Sequence, residues 1–196
     1  MKMPLTVLLA LLAALSSAVH AANYNYILAD YTHTGTSYSG ESGTGYVVGF
    51  SHSVSDKLFV SGEFEHNSLD ESYGGGLFVD VVSAQFGYHM AISGSTDLVL
   101  AANILHSRDK SDGYSYTPYA VEWGPEAGLR YSMSDHIELD AFVYNNRIIN
   151  GGFSSSAVSV GVLYNLSNAI SVGATYLQSS SFDNTRQWIA ELRWNY

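Results

Sequence analysis

The sequence predicts an all-β protein, a transmembrane antiparallel up-and-down barrel of about ten strands, with eight as the alternative. Three observations predict it. Only 13% of the 196 residues are charged, about half the share in a soluble domain, yet the mean hydropathy of +0.03 is too low for a bundle of membrane helices. Beyond residue 22 the chain alternates polar and apolar residues in about ten segments, and a period of two marks strands with unlike faces. The connections alternate between short turns and longer polar stretches, as in barrels with turns at one rim and loops at the other.

Composition also excludes several classes. The chain has no cysteine, so a disulfide framework, a thiolate metal site and a cysteine nucleophile are ruled out. Eight Lys and Arg stand against 18 Asp and Glu, a net charge of −10, which argues against nucleic acid. An aromatic content of 13% argues against disorder.

Residues 1–21 read as a secretory signal peptide. Lys2 supplies the charged start, Val7 to Leu15 is an unbroken apolar core, and Val19 and Ala21 are small residues at the −3 and −1 positions. Cleavage after Ala21 would leave residues 22–196 as one barrel domain.

The segments follow in order. Near 24–33, Ile27, Ala29 and Tyr31 form the apolar face, since the other parity would place Asp30 there. Near 44–53 the face is Tyr46, Val48, Phe50; near 57–66 it is Leu58, Val60, Phe64; near 77–90 it is Val82, Ala84, Phe86, Tyr88. Near 97–106 it is Leu98, Leu100, Ala102, Ile104. Segment 116–131 is the clearest, with Tyr119, Val121, Trp123, Ala127, Leu129 and Tyr131 opposite Glu122, Gly124, Glu126, Gly128 and Arg130. Segments 137–146, 156–165 and 169–177 carry Leu139 and Val143, Val158 and Val162, and Val172 and Tyr176. The last, 186–196, sets Trp188, Ala190, Leu192, Trp194 and Tyr196 against Gln187, Glu191, Arg193 and Asn195.

Three connections repeat one pattern: Gly49 to Asp56, Gly128 to Asp135 and Gly161 to Asn168, with Gly87 to Asp97 a looser fourth. Their Ser, Asp and Asn residues close turns by bonding nearby backbone. The longer polar stretches are 34–43, 67–76, 107–115, 147–155 and 178–185. Tyr131, Tyr164 and Tyr196 fall at the turn side and Tyr46, Tyr119, Tyr176 and Trp188 near the loop side, as two interfacial belts require. A soluble sandwich or lipocalin-like barrel would turn its polar face outward and need far more charge.

The signal peptide, the alternating segments and the final strand, with Trp188, Trp194 and the carboxy-terminal Tyr196, resemble the small Gram-negative outer-membrane β-barrel proteins. Ala190 and Glu191 stand where that group usually carries a glycine. The resemblance implies an outer-membrane location and contact with outer-membrane lipid and lipopolysaccharide. It also implies that Trp188, Trp194 and Tyr196 act as the signal read by the barrel-assembly machinery. The barrel is expected to be a monomer. Activity does not follow, since this architecture hosts pores, enzymes, adhesins and inert anchors.

By parity the lumen receives Glu63, Glu65, Glu122, Glu126, Glu138, Asp140 and Glu191, with Arg130 and Arg193, and also Phe59, Phe142 and Tyr144. These charges form either an internal salt-bridge plug or a narrow, acidic, cation-preferring path. Ten strands make a slim barrel, which favours the plugged or barely conducting state. His33, His66 and His106 fall at loop-side strand ends, with Asp70, Ser107 and Asp109 near in sequence. Outer-membrane proteases and lipid-modifying enzymes place His, Asp and Ser there, so a rim enzyme is one alternative and a loop-mediated adhesin another. Parity puts the three histidines on the lipid side and no catalytic motif surrounds them. The stretch Asp109-Lys110-Ser111-Asp112-Gly113 lacks the acid pattern of a calcium loop and reads as a polar turn. The sequence therefore predicts no catalytic residue, metal or cofactor, and a structural or weak cation-preferring, porin-like role.

Overall fold

The computed structural model describes residues 23–36, 42–70, 76–111, 119–149, 154–180 and 184–196; side chains of Asp70, Gly76 and Ser111 lie outside it, as does the expected signal peptide. Ten strands follow in chain order: β1 (Tyr26–Thr36), β2 (Ser42–Ser53), β3 (Leu58–Asp70), β4 (Gly76–Ser93), β5 (Thr96–Ser111), β6 (Tyr119–Ser132), β7 (Ile137–Ile148), β8 (Ser154–Asn165), β9 (Ile170–Ser179) and β10 (Thr185–Asn195). Each pairs antiparallel with its sequence neighbours, and β1 pairs with β10 to close the barrel.

Every apolar face read from the alternation points outward. Ile27, Val48, Val82, Ile104, Trp123, Val143, Val160 and Leu192 are all exposed. A soluble protein would bury them; here they form the wall that meets hydrocarbon. Buried positions are largely polar, with Thr32, Ser51, Ser159, Ser171, Glu126, Arg130 and Glu138 among them. The fold is inside out because lipid, not water, surrounds it.

The three repeated connections form one turn. The amides of Val54, Met133 and Leu166 donate to the carbonyls of Leu58, Ile137 and Ile170 at 2.8, 2.8 and 2.9 Å. In each, a serine Oγ (Ser55, Ser134, Ser167) accepts from the amide three residues on, at 3.1 Å. The fourth is tighter than expected. β4 runs to Ser93, β5 starts at Thr96, and the added residues lengthen the strands, with a register shift between Ala91 and Ser93.

The loop side needs a similar correction. The polar stretches 67–76 and 107–115 are loops only in part: β3 continues to Asp70 and β5 to Ser111, so Asp109, Lys110 and Ser111 are strand residues and not a polar turn. At the rim neither face of a strand meets hydrocarbon, so polarity stops alternating while the ladder hydrogen bonds continue. At the other end, Tyr24 was counted in the first strand but precedes β1.

Four inward glycines each pair across the ladder with a larger inward side chain: Gly49 with Glu63, Gly87 with Phe59, Gly128 with Phe142 and Gly161 with Asp140. A Cβ on Gly87 or Gly128 would strike the partner's ring. Glycine here is the space into which an aromatic ring lies flat against the wall.

Candidate functional site

The lumen is the candidate site, and its two ends differ. At the turn side, β6 carries Arg130 inward and β7 returns Glu138 two ladder positions away, since Arg130 pairs with Asp140 and Ser132 with Glu138. Arg130 Nη2 and Nε donate to Glu138 Oε1 at 2.6 and 2.9 Å, and Nη1 donates to the Asn23 carbonyl at 3.2 Å. The Arg130 and Glu138 side chains are only 7% and 9% exposed. From β10, Arg193 Nε donates to Glu191 Oε1 at 2.6 Å, and its Nη1 lies 4.0 Å from the same Glu138 oxygen.

Aromatic rings complete this layer. The Arg130 guanidinium sits 4.5 Å above the Tyr24 ring and that of Arg193 sits 4.1 Å above Tyr26. Tyr24 stacks on His89 at 4.1 Å and Phe59 at 4.8 Å. Burial holds the Tyr24 hydroxyl above its ordinary range, so the phenol stays neutral. His89 Nδ1 lies 3.5 Å from Asp97 Oδ2. The segment before β1 is thus folded into the barrel mouth, anchored also by Asn25 Oδ1, which accepts from the Ser53 amide at 2.9 Å.

Towards the loops the chemistry changes. Glu126 accepts from Gln85 Nε2 at 2.5 Å. Glu65 accepts from Asn67 Nδ2 at 2.6 Å and Gln187 Nε2 at 2.8 Å. At mid-barrel Asp30, the ladder partner of Glu191, and Glu63 face the same space, and among the described residues no lysine or arginine pairs with Asp30, Glu63, Glu65 or Glu126. A cavity of about 360 Å³ runs from this region down to the turn-side layer, whose Tyr24, Phe59, Arg130 and Glu138 also line it. A second, of about 300 Å³, opens at the turn side among Asn23, Ser132, Asp135, Asn165 and Asn195. Arg130, Glu138 and Arg193 line both, so the arginine layer is the partition between them.

Of the sequence-predicted lumen charges, Glu63, Glu65, Glu126, Arg130, Glu138, Asp140, Glu191 and Arg193 line the larger cavity, as do Phe59, Phe142 and Tyr144. Glu122 shares their face of β6 but is not in the cavity wall; it sits further towards the loops, opposite Leu105 and Ile148. The lumen residues read from the sequence do not include Tyr24, Tyr26, His89 and Asp97, nor Asp30, although Asp30 is kept off the apolar face of its segment. The parity read for the first segment puts Asp30 and Tyr26 inside, opposite Ile27 and Tyr31, and that of 77–90 puts His89 inside, next to Tyr88. Tyr24 shares the inward parity of the segment 24–33, but it precedes β1.

The rim histidines do not assemble. His33 on β1 and His106 on β5 are exposed on the outer wall, while Ser107 and Asp109 take the opposite, inward parity of β5. His66 also faces out, with Nδ1 2.6 Å from Asp80 Oδ1. Trp188, Trp194 and Tyr196 all project outward from the closing strand, and Tyr196 Oη donates to the Ser51 carbonyl at 3.3 Å.

A closed antiparallel barrel with an apolar, aromatic-girdled outer wall and a charged lumen is an integral outer-membrane β-barrel. The chain belongs to the outer membrane protein beta-barrel domain family, whose sequence model matches residues 6–165. No curated protein sequence matches it. Among the solved structures that share the fold are two from Neisseria. The translocator domain of the autotransporter NalP from Neisseria meningitidis is 13% identical, with a TM-score of 0.54, over 97% of this chain and 94% of that one. Neisserial surface protein A is 14% identical, with a TM-score of 0.50, over 90% of this chain and all (100%) of that one.

Proposed function

We propose that this outer-membrane barrel is a narrow, porin-like, weakly conducting and cation-preferring pore with no enzymatic activity. The carrying observation is the charge of the lumen. Asp30, Glu63, Glu65 and Glu126 face a cavity in which the cations, Arg130 and Arg193, are both held in the turn-side layer. A water-filled space lined by carboxylates concentrates cations and repels anions. The separation of His106 from inward Ser107 and Asp109 supports a non-enzymatic role. Export would rest on residues 1–21, assembly on the exposed Trp188, Trp194 and Tyr196, and the closed, edge-free sheet suits a monomer.

The test is planar-bilayer recording of the refolded protein across a KCl gradient. Small current steps with a cation-selective reversal potential are expected, and Glu126→Gln should reduce that selectivity. The arginine partition favours a second reading, a non-conducting structural barrel. Absence of steps from protein that shows a heat-modifiable gel band would select it.

A further inference from the structure

The charges are segregated across the barrel wall. On the strands, the described acidic side chains point inward apart from Asp80, and the cations outside the Arg130 and Arg193 pair point outward: Arg108, Lys110, Arg147 and Arg186. All four are exposed and all sit at loop-side strand ends. Arg108 and Lys110 are near the end of β5 at Ser111, Arg147 precedes the last residue of β7, and Arg186 is the second residue of β10. The turn-side outer wall carries Met90, Ile92 and Tyr164 instead, and Lys57 lies in a turn beside Asp56. A protein with a net charge of −10 therefore shows, among its described residues, a basic collar at one level of its outer surface, with Asp80 the acidic side chain within it.

We propose that this collar binds the phosphate groups of phosphorylated glycolipid in the outer leaflet. Short turns face the periplasm in barrels of this class, so the loop-side rim meets the outer leaflet. The collar is at headgroup height because it abuts the aromatic girdle. Arg108 pairs across the ladder with Tyr119, and Arg147 with Trp123. Arg186 lies two residues loopward of Trp188. Long cationic side chains at this depth extend along the wall to reach headgroups. A phosphomonoester carries nearly two negative charges and several acceptor oxygens, which suits the planar donor fork of arginine.

The patch on β4 and β5 is the most developed part. His106, Arg108 and Lys110 project from alternate positions of one strand. Lys110 Nζ donates to Asp80 Oδ2 at 2.6 Å, and Asp80 also holds His66 at 2.6 Å. Asp80 thus fixes Lys110 against the sheet at the edge of the patch, and its own charge is met from both sides. Arg108 projects between Asp80 and Tyr119 in the ladder. This site is on the outer wall and is independent of whether the lumen conducts.

The test uses the full refolded barrel in nonionic detergent, with bound lipid counted by native mass spectrometry. The probes are lipid A bearing two phosphates, the same lipid after enzymatic dephosphorylation, and phosphatidylglycerol. The wild type should retain the phosphorylated lipid at least tenfold better than either other probe. Arg108→Gln with Lys110→Gln should weaken that retention severalfold, and adding Arg147→Gln and Arg186→Gln should abolish the preference. Lys57→Gln should leave it unchanged. A heat-modifiable gel band verifies folding of each variant, and the double variant stands in if the quadruple one does not fold. Equal retention of dephosphorylated lipid or of phosphatidylglycerol overturns the proposal. So does wild-type binding by the folded double variant, or an equal loss in Lys57→Gln.

Discussion

The turn-side and loop-side halves of the lumen are built from the same inward parity, yet they neutralise charge in opposite ways. Near the turns, Glu138 and Glu191 are each met by an arginine and roofed by aromatic rings. Near the loops, Glu65 and Glu126 are met by the amides of Gln187, Asn67 and Gln85. A buried carboxylate needs a cation or several donors when water is excluded. The loop-side carboxylates are compatible with amide partners because they border the larger cavity, which water can fill. The difference teaches that one half is a packed partition and the other a chamber.

The largest expected effect breaks the partition. Arg130→Ala leaves Glu138 buried without its main partner and should cost about 3–5 kcal/mol, read from urea unfolding in lipid vesicles. Unchanged stability would mean that the layer is hydrated and the halves are alike. Tyr24→Ala removes a ring held between Phe59, His89 and Arg130. It should cost about 2–3 kcal/mol, towards the low end for large-to-small changes, because the ring precedes the first strand. Its sharper readout is conductance, which should rise as the two cavities join.

Smaller effects are expected from the wall. Gly87→Ala drives a methyl into the Phe59 ring and should destabilise by about 1–2 kcal/mol through overpacking. Adding Phe59→Leu should recover part of that loss if the pair acts as a unit. The smallest change is Glu63→Gln in the chamber. Stability should move by no more than about 0.5 kcal/mol, because Glu63 has no cationic partner to lose, while the reversal potential shifts towards zero. A loss as large as that of Arg130→Ala would show Glu63 to be part of a packed network and erase the distinction.

Much of the architecture was legible. Alternation placed the apolar wall outside on all ten strands, and the repeated Gly to Asp or Asn pattern marked three identical turns. Legibility failed where the physical cause of alternation failed. Asp109 and Lys110 fall on opposite faces of β5 and both are polar, so their polarity carried no period. Tyr24 precedes the ladder, and its place is set by Phe59, His89 and Arg130, which come from other strands.

The sequence by itself determined which side chains face lipid and which face the lumen, because the pleat has a period of two and each strand has one apolar face. Only the tertiary structure decided which lumen charges meet. Gln187 reaches Glu65 from a strand three places away round the barrel, Gln85 reaches Glu126 past β5, and Arg193 approaches Glu138 across the lumen. Closure of a tilted, staggered sheet brings such residues within bonding distance. Parity along a strand carries no record of that stagger.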